Sequence, residues 1–407
     1  MFLINTCKAQ APLPRPHLLL ALGHEGRAQA SRFLLSCPRH RPTPLHALPA
    51  LAARLGLASL HVKDEGYRLG LTSFKALGGA YAVMRLVAHE AARRWGRTID
   101  PAEMQSPGMR AIAAGMTMVC ATDGNHGRAV AAGARLVGCR SIIFMHEGVS
   151  EPRAAAIAAF GGEIVRVAGS YDDSVVEAAR QASRHGWTVV SDTSWEGYED
   201  IPLTVMQGYT VTAGEAFEKL LQPPTHIFIQ AGVGGVAAAV AAHALAVYGQ
   251  AMPKIVIVEP ERAACLLASA EAGRVTTVAH GLPTVMAMLE CAEPSPLAFE
   301  IVQSLAEGFV AVSEDSAIVA MNELARPAES DCAIIAGESG AAGLAGLMTC
   351  LDDETARTLL ELGHTARVLL FNTEGATDAA LYEKLTGIDP ARIPRTGPSS
   401  TMTVSPV

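Results

Sequence analysis

Apolar residues in this chain come mostly in short unbroken runs, not in alternation. "MTMVCAT" (116–122), "SIIFMH" (141–146), "EIVRVAG" (163–169) and "WTVVSD" (187–192) are such runs. Between them lie segments of helical spacing: "HGRAVAAGARLVG", "EPRAAAIAAFG" and "YDDSVVEAARQASRHG". Apolar runs separated by amphipathic helices predict buried parallel strands joined by crossovers. A second series opens with "THIFIQAGVGG", continues through "KIVIVEP" and "FVAVS", and ends at "ARVLLFNTEGATD". The chain therefore reads as α/β with a largely parallel sheet.

Other stretches fill in around the two series. The pattern is helical from Ser73 to about Ala92, and "SWEGYEDIPLTVMQGYTVTAGEAFEKL" reads as a loop and a helix. The first sixty residues carry many prolines and histidines and read as irregular chain followed by a short helix. "LHVKDEGYRLG" then gives a strand and a loop, and the C-terminal "IPRTGPSSTMTVSPV" a mobile tail. "AGVGGVAAAVAAHALAVYG" is the most membrane-like stretch, but its glycines, His243 and the strand before it predict a core helix.

Composition narrows the class. A length of 407 residues suggests about two domains. Half the residues are hydrophobic and 18% are charged, which suits a well-buried globular enzyme and gives little reason to expect disorder. The formal charge of −8 argues against a nucleic-acid binder, whose phosphate contacts need a basic face. The eight cysteines form no CxxC pair, and "MFLINTCKAQ" lacks a signal-peptide pattern, so reduced thiols in a cytoplasmic protein are expected.

Candidate chemistry begins with Lys75 in "LTSFKALGGAY", an ammonium set in an apolar run where desolvation is costly. In "QAGVGGVAAAV" a strand runs into Gly232, Val233, Gly234 and Gly235 before a helix, a backbone cradle for a phosphate. The spacing also resembles a dinucleotide fingerprint, with Glu259 as the possible ribose acid. "CATDGNHGRAV" puts Asp123, Gly124 and Asn125 at a strand–helix junction, as ligand contacts or as caps. "AGESGAAGLAG" holds Glu338 and Ser339 and nearly matches a nucleophile elbow, but Ala341 replaces its last glycine. "FNTEGATD" ends a strand at Asn372 and Thr373. No HExxH motif or His/Cys cluster has metal-ligand spacing, so no metal is expected. A phosphate cradle together with a buried lysine suggests pyridoxal 5′-phosphate (PLP), whose aldehyde would form a Schiff base with Lys75.

In that order, "TSFK", "DGNHG" and "GVGG" resemble the tryptophan-synthase-like, fold type II PLP enzymes. "RLGLTSFKALGGAY", "TDGNHGRAVA", "SDTSWEGYEDIP", "MQGY", "GESGA" and "TEGATD" narrow the resemblance to the diaminopropionate ammonia-lyase branch, over about Arg41 to Asp378. The resemblance implies two open, mostly parallel sheets flanked by helices. Residues 1–80 and 205–395 would form a large PLP-binding domain, with a smaller α/β domain inserted at 81–204 and a tail at 396–407. The implied reaction is α,β-elimination of ammonia from D- and L-2,3-diaminopropionate, giving pyruvate and two ammonia molecules.

The same resemblance implies residue roles. Lys75 would be the Schiff-base lysine and a base on one face, and Asp123 the base on the other. Asp192 would hold the β-ammonium, and Asn125 would meet the cofactor's phenolic oxygen. Gly232–Gly235 would bind the phosphate, and Asn372 or Thr373 the pyridine nitrogen. Ser73, Gly124 and Asn125 would receive the substrate carboxylate, with Glu338 and Ser339 also on the substrate side. A homodimer is implied too. The chain departs from the family pattern at Leu69, Thr72, Ser73, Gly235, Val236 and Asn372. Rival readings are a serine/threonine-type dehydratase of the same fold, an NAD-dependent oxidoreductase built on "GVGGVA" and Glu259, a PLP-free sensor, and a hydrolase using Ser339.

Overall fold

A computed structural model describes residues 1–8, 11–122, 124–279, 281–328 and 330–394. The two series of apolar runs build two sheets. The larger takes β1 (Phe2–Ile4), β2 (Leu45–Ala47), β3 (Ser59–Asp64), β8 (His226–Gln230), β9 (Lys254–Pro260), β10 (Gly308–Val312) and β11 (Arg367–Asn372). The smaller takes β4 (Thr117–Ala121), β5 (Arg140–His146), β6 (Glu163–Val167) and β7 (Thr188–Val189). Strand order is β1-β10-β9-β8-β11-β3-β2 in the first and β6-β5-β4-β7 in the second.

All pairs in the smaller sheet are parallel, as are the five central strands of the larger one; β1 and β2 close its edges antiparallel. Every residue of β8 and β10 is buried, which explains why those runs carry no alternation.

The N-terminal sixty residues depart from the sequence reading. They contain two helices, Pro16–Leu22 and His24–Leu35, a third, Pro49–Arg54, and both edge strands. Pro16 and Pro49 each sit in a first helical turn, where a missing N–H costs nothing. Leu18, Leu22, Phe33 and Leu34 are buried in the common core. Prolines that looked like breakers are helix starts, and tertiary burial supplies what local propensity did not.

Three helices place the site. The Lys75 helix (Lys75–Trp95) runs three residues beyond the predicted limit and is closed by Gly96 in the left-handed region. It packs against the Asn125 helix (Asn125–Val137) and the helix Asp200–Lys219. The contacts run through small residues: a Cβ on Gly79 would lie 2.8 Å from that of Ala129, and one on Gly133 would lie 2.7 Å from Cα of Ala80. One continuous apolar core joins Met118, Cys120 and Ile143 of the small sheet to Ile227, Ile257 and Phe371 of the large one. The divisions expected at 80/81 and 204/205 fall inside the Lys75 helix and the helix Asp200–Lys219. The expected tail, 396–407, lies outside the described residues.

The membrane-like stretch is the buried helix Gly235–Tyr248, and no described helix is long and apolar enough to cross a membrane.

Candidate active site

Lys75 is the first residue of its helix and follows a tight turn, Glu65–Gly70. Leu69 (φ 53°) and Thr72 (φ 55°) lie in the left-handed region, which costs a side-chain-bearing residue about 1 kcal/mol or more. The turn is held from several sides. Arg128 donates to the Leu71 carbonyl at 2.9 Å. The Gly375 N–H donates to Thr72 at 3.0 Å, and the Phe74 N–H to Thr373 at 3.0 Å. Ser73 is buried, and its hydroxyl accepts the Lys75 N–H at 3.3 Å. The lysine is thereby tied to the end of β11, across the molecule in sequence.

The Lys75 amine donates to Asp192, in the loop after β7; their side chains are only 20% and 15% exposed. Burial opposes the ammonium, but the Asp192 carboxylate outweighs it and holds the amine above its usual value. Burial also opposes the Asp192 carboxylate, and Lys75, then His126, hold it below the usual carboxylate range. His126 donates from Nε2 to the Val190 carbonyl at 2.8 Å; burial lowers its pKa, and its Nδ1 lies 3.9 Å from Asp192 Oδ2. Tyr209 packs edge-on against Phe74, with ring centroids 4.8 Å apart.

The glycine turn follows β8. Gly234 has φ 96°, and the next helix starts at Gly235 with no side-chain cap, which leaves amide donors and the positive helix end for an anion. A Cβ on Gly232 would lie 2.9 Å from the Cys291 sulfur, and one on Gly235 would lie 3.8 Å from the Asp192 carbonyl. The turn thus abuts the Lys75–Asp192 pair. Its far side is fixed by the Ser295 N–H, which donates to the Val233 carbonyl at 2.9 Å, and by the Ser194–Ser295 hydroxyl pair at 2.8 Å.

A second polar group lies at the ends of β8 and β11. Asn125 donates to Glu374 at 2.6 Å. Burial, then the Glu338 carboxylate, raises the pKa of Glu374; burial likewise raises that of Glu338. Glu338, Ser339 and Glu374 are each 3% exposed or less, and Glu338 Oε1, Ser339 Oγ and Glu374 Oε1 have no hydrogen-bond partner in the protein. Asn372 donates to Asp64 at 2.7 Å and to the Ile335 carbonyl at 3.0 Å. The Thr373 hydroxyl accepts from Gln230 at 2.8 Å and keeps its own proton to donate.

The structure brings together Lys75, Asp192 and the glycine turn, and joins Asn125 to Thr373 through Glu374. The Gly124 N–H already donates to the Thr122 hydroxyl at 3.1 Å. Asp123 lies outside the described residues. Glu374, His126, Tyr209 and Gln230 were not singled out from the sequence as site residues; the signals were the motifs themselves, "TEG", "GNH" and "MQGY", and the end of "HIFIQ".

Two rival readings lose their key residues. Glu259 accepts the Leu266 and Leu267 N–H groups at 2.7 and 2.8 Å, so it caps a helix and is closed to a ribose. The elbow glycine is replaced by Ala341, and no described histidine is bonded to the Ser339 hydroxyl.

The donors present fit PLP: one amine beside a carboxylate, an amide-lined cradle for a dianion, an amide at Asn125, a hydroxyl at Thr373, and buried polar atoms left without protein partners. The family model for "pyridoxal-phosphate dependent enzyme" matches residues 37–374. The chain belongs to the pyridoxal-phosphate-dependent enzymes. Its cofactor is pyridoxal 5′-phosphate. Diaminopropionate ammonia-lyase of Escherichia coli (strain K12) is 38% identical over 362 residues, 88% of this chain and 90% of the relative. The crystal structure of the Escherichia coli enzyme in complex with D-serine aligns with a TM-score of 0.85 at 35% identity, covering 95% of this chain and 96% of that one. Its complex with an aminoacrylate–PLP azomethine reaction intermediate aligns with a TM-score of 0.84 at 35% identity and the same coverage.

Proposed function

We propose that this PLP enzyme eliminates ammonia from D- and L-2,3-diaminopropionate, giving pyruvate and two ammonia molecules. The observation that carries the reading is the Lys75–Asp192 pair beside Gly235: an amine with one carboxylate neighbour, abutting a turn shaped for a phosphate. Lys75 would hold the cofactor through its amine, the amides of Gly232–Gly235 its phosphate, and Asn125 and Thr373 the two sides of its ring. When bound, PLP supplies an electron sink for the charge left at the substrate Cα.

The chain's own residues do the rest. The Lys75 amine, once free, takes the Cα proton on its face and can return a proton to the departing ammonia. Asp123 serves as base on the opposite face, which admits both enantiomers. Asp192 holds whichever cation is before it, Lys75 at rest or the β-ammonium of a diamino acid, and so favours an amine over a hydroxyl at the β-carbon. His126, whose pKa burial lowers, stands behind Asp192 at 3.9 Å. Ser73 and Asn125 receive the substrate carboxylate; Glu338 and Ser339 border the substrate. We propose a large domain formed by residues 1–80 and 205–395, the inserted unit 81–204, a homodimer, and a cytoplasmic setting.

The test measures pyruvate and ammonia release from D- and L-diaminopropionate and D- and L-serine, with Lys75→Ala as control. The diamino acids should be turned over faster than either serine, with two ammonia per pyruvate, and the variant should be inactive and lack the PLP band near about 400–420 nm. Faster turnover of serine would replace the reading with a dehydratase.

A further inference from the structure

At the β2 edge of the large sheet, three side chains far apart in sequence form a line. His46, in the middle of β2, points Nδ1 at the sulfur of Cys332, 3.4 Å away. Its Nε2 lies 3.5 Å from Oδ2 of Asp64, the last residue of β3. The other oxygen of Asp64 is fully engaged: Oδ1 accepts the Gly66 N–H at 2.9 Å and Asn372 Nδ2 at 2.7 Å. These bonds fix the carboxylate, which faces the imidazole across 3.5 Å. With the ring proton on the nitrogen nearer that anion, the lone pair of Nδ1 faces the thiol.

His46 and Asp64 are buried, at 8% and 2% exposure. Cys332 is half-buried and lines a small surface groove whose walls include Leu48, Leu51, Arg54, Glu323 and Asp331. A nucleophile, a base within reach, and a third group orienting the base is the arrangement that activates a thiol. Five other cysteines differ from it. Cys7 donates to the Ala270 carbonyl, which cannot take its proton. Burial pushes the Cys139 thiol up to about 12 and raises those of Cys120, Cys265 and Cys350.

We propose that Cys332 is a modification site: a thiol activated by His46 and Asp64 that exchanges with small disulfides entering the surface groove. His46 Nδ1 takes the thiol proton. The thiolate attacks one sulfur of the incoming disulfide, forming a mixed disulfide on Cys332 as the original S–S bond breaks. The departing thiolate leaves with the proton held by His46, so one disulfide and one thiol yield one disulfide and one thiol.

The test treats the intact holoenzyme at pH 7 with oxidised glutathione and, separately, with iodoacetamide, and follows all eight cysteines by peptide mass spectrometry. Cys332 should react about tenfold faster than Cys7 and Cys37, and dithiothreitol should remove the glutathione adduct. His46→Gln should slow Cys332 about tenfold, with the circular dichroism spectrum unchanged. Where that variant fails to fold, the wild-type rate against pH decides. Below pH 8 a histidine-assisted thiol loses much less than the tenfold per pH unit of an unassisted one. A Cys332 rate no greater than that of Cys7, or a full tenfold loss per pH unit, overturns the proposal.

Discussion

Two lysines twelve residues apart are withdrawn from water in this protein, and their surroundings differ. Lys63, at 0% exposure, donates to the Thr43 carbonyl at 2.8 Å and to Glu215 at 2.6 Å. Around it Arg68 joins Glu65 at 2.7 Å and Glu215 at 2.7 Å, while Thr43 and Thr212 donate their hydroxyls to Glu65 at 2.8 and 2.7 Å. Burial lowers the Lys63 pKa despite both carboxylates. Lys75 has a single carboxylate partner, keeps a fifth of its side chain exposed, and is held above its usual value. Burial alone therefore does not mark a lysine for chemistry. A closed network of several carboxylates and cations is a structural device; a lone pair with capacity to spare is a reactive one.

Exchanging the two losses is the strongest way to break that contrast. Lys75→Ala should reduce pyruvate release by about 10³-fold or more, with a smaller loss in the urea midpoint than the Lys63 variant, because the Lys75–Asp192 pair keeps some exposure. Lys63→Met should do the reverse. Leaving Glu215 and Glu65 short of a cation costs about 3–5 kcal/mol in urea unfolding, while turnover per folded molecule stays within about threefold. If the Lys63 variant loses turnover but keeps its stability, the division between the two lysines is wrong.

Asp192→Asn sharpens the comparison, because it preserves the shape around Lys75 and removes the charge. It should lower kcat/KM for diaminopropionate about 10²-fold and for serine by less. Equal losses on both substrates would mean that Asp192 serves Lys75 alone.

The smallest effect concerns the acids bordering Asn125. Glu374 has a raised pKa in the folded protein, so the folded state keeps a proton that the unfolded chain releases as pH rises above about 4.5. Stability is therefore lost over the rise from that value to the higher folded-state pKa. Glu374→Gln mimics the protonated acid at every pH. It should match wild type in thermal unfolding near pH 4 and exceed it by about 2–5 °C at pH 8. A variant less stable than wild type at pH 8 would contradict the assignment.

The sequence pattern disclosed both strand series, Lys75 and the glycine turn, because each is a local signal: an apolar run, a misplaced charge, a cluster of residues without side chains. It did not disclose Lys63, which read as one polar residue in "LHVKDEGYRLG"; its partners come from Thr43 and Glu215, and no spacing connects them. The N-terminal helices were hidden for a similar reason, since their burial depends on contacts with the Asp200–Lys219 helix. Asn372 and Thr373 were equivalent neighbours in the sequence. The strand separates them, turning Asn372 toward Asp64 and Thr373 toward Gln230; the proposed role of Thr373 at the pyridine nitrogen rests on that difference.

The glycine and alanine contacts between the Lys75 and Asn125 helices have a consequence for anyone wishing to retune the enzyme. Each helix begins with a residue of the site, and their axes are seated so closely that a single methyl at Gly79 or Gly133 has no room. The gap between the lysine and the asparagine is thus set by backbone spacing, beyond the reach of rotamer changes. Broader substrate scope would have to come from the connections that rise around this rigid floor, such as Ser191–Tyr198 and Gly337–Gly340, where segments can be exchanged without prising the two helices apart.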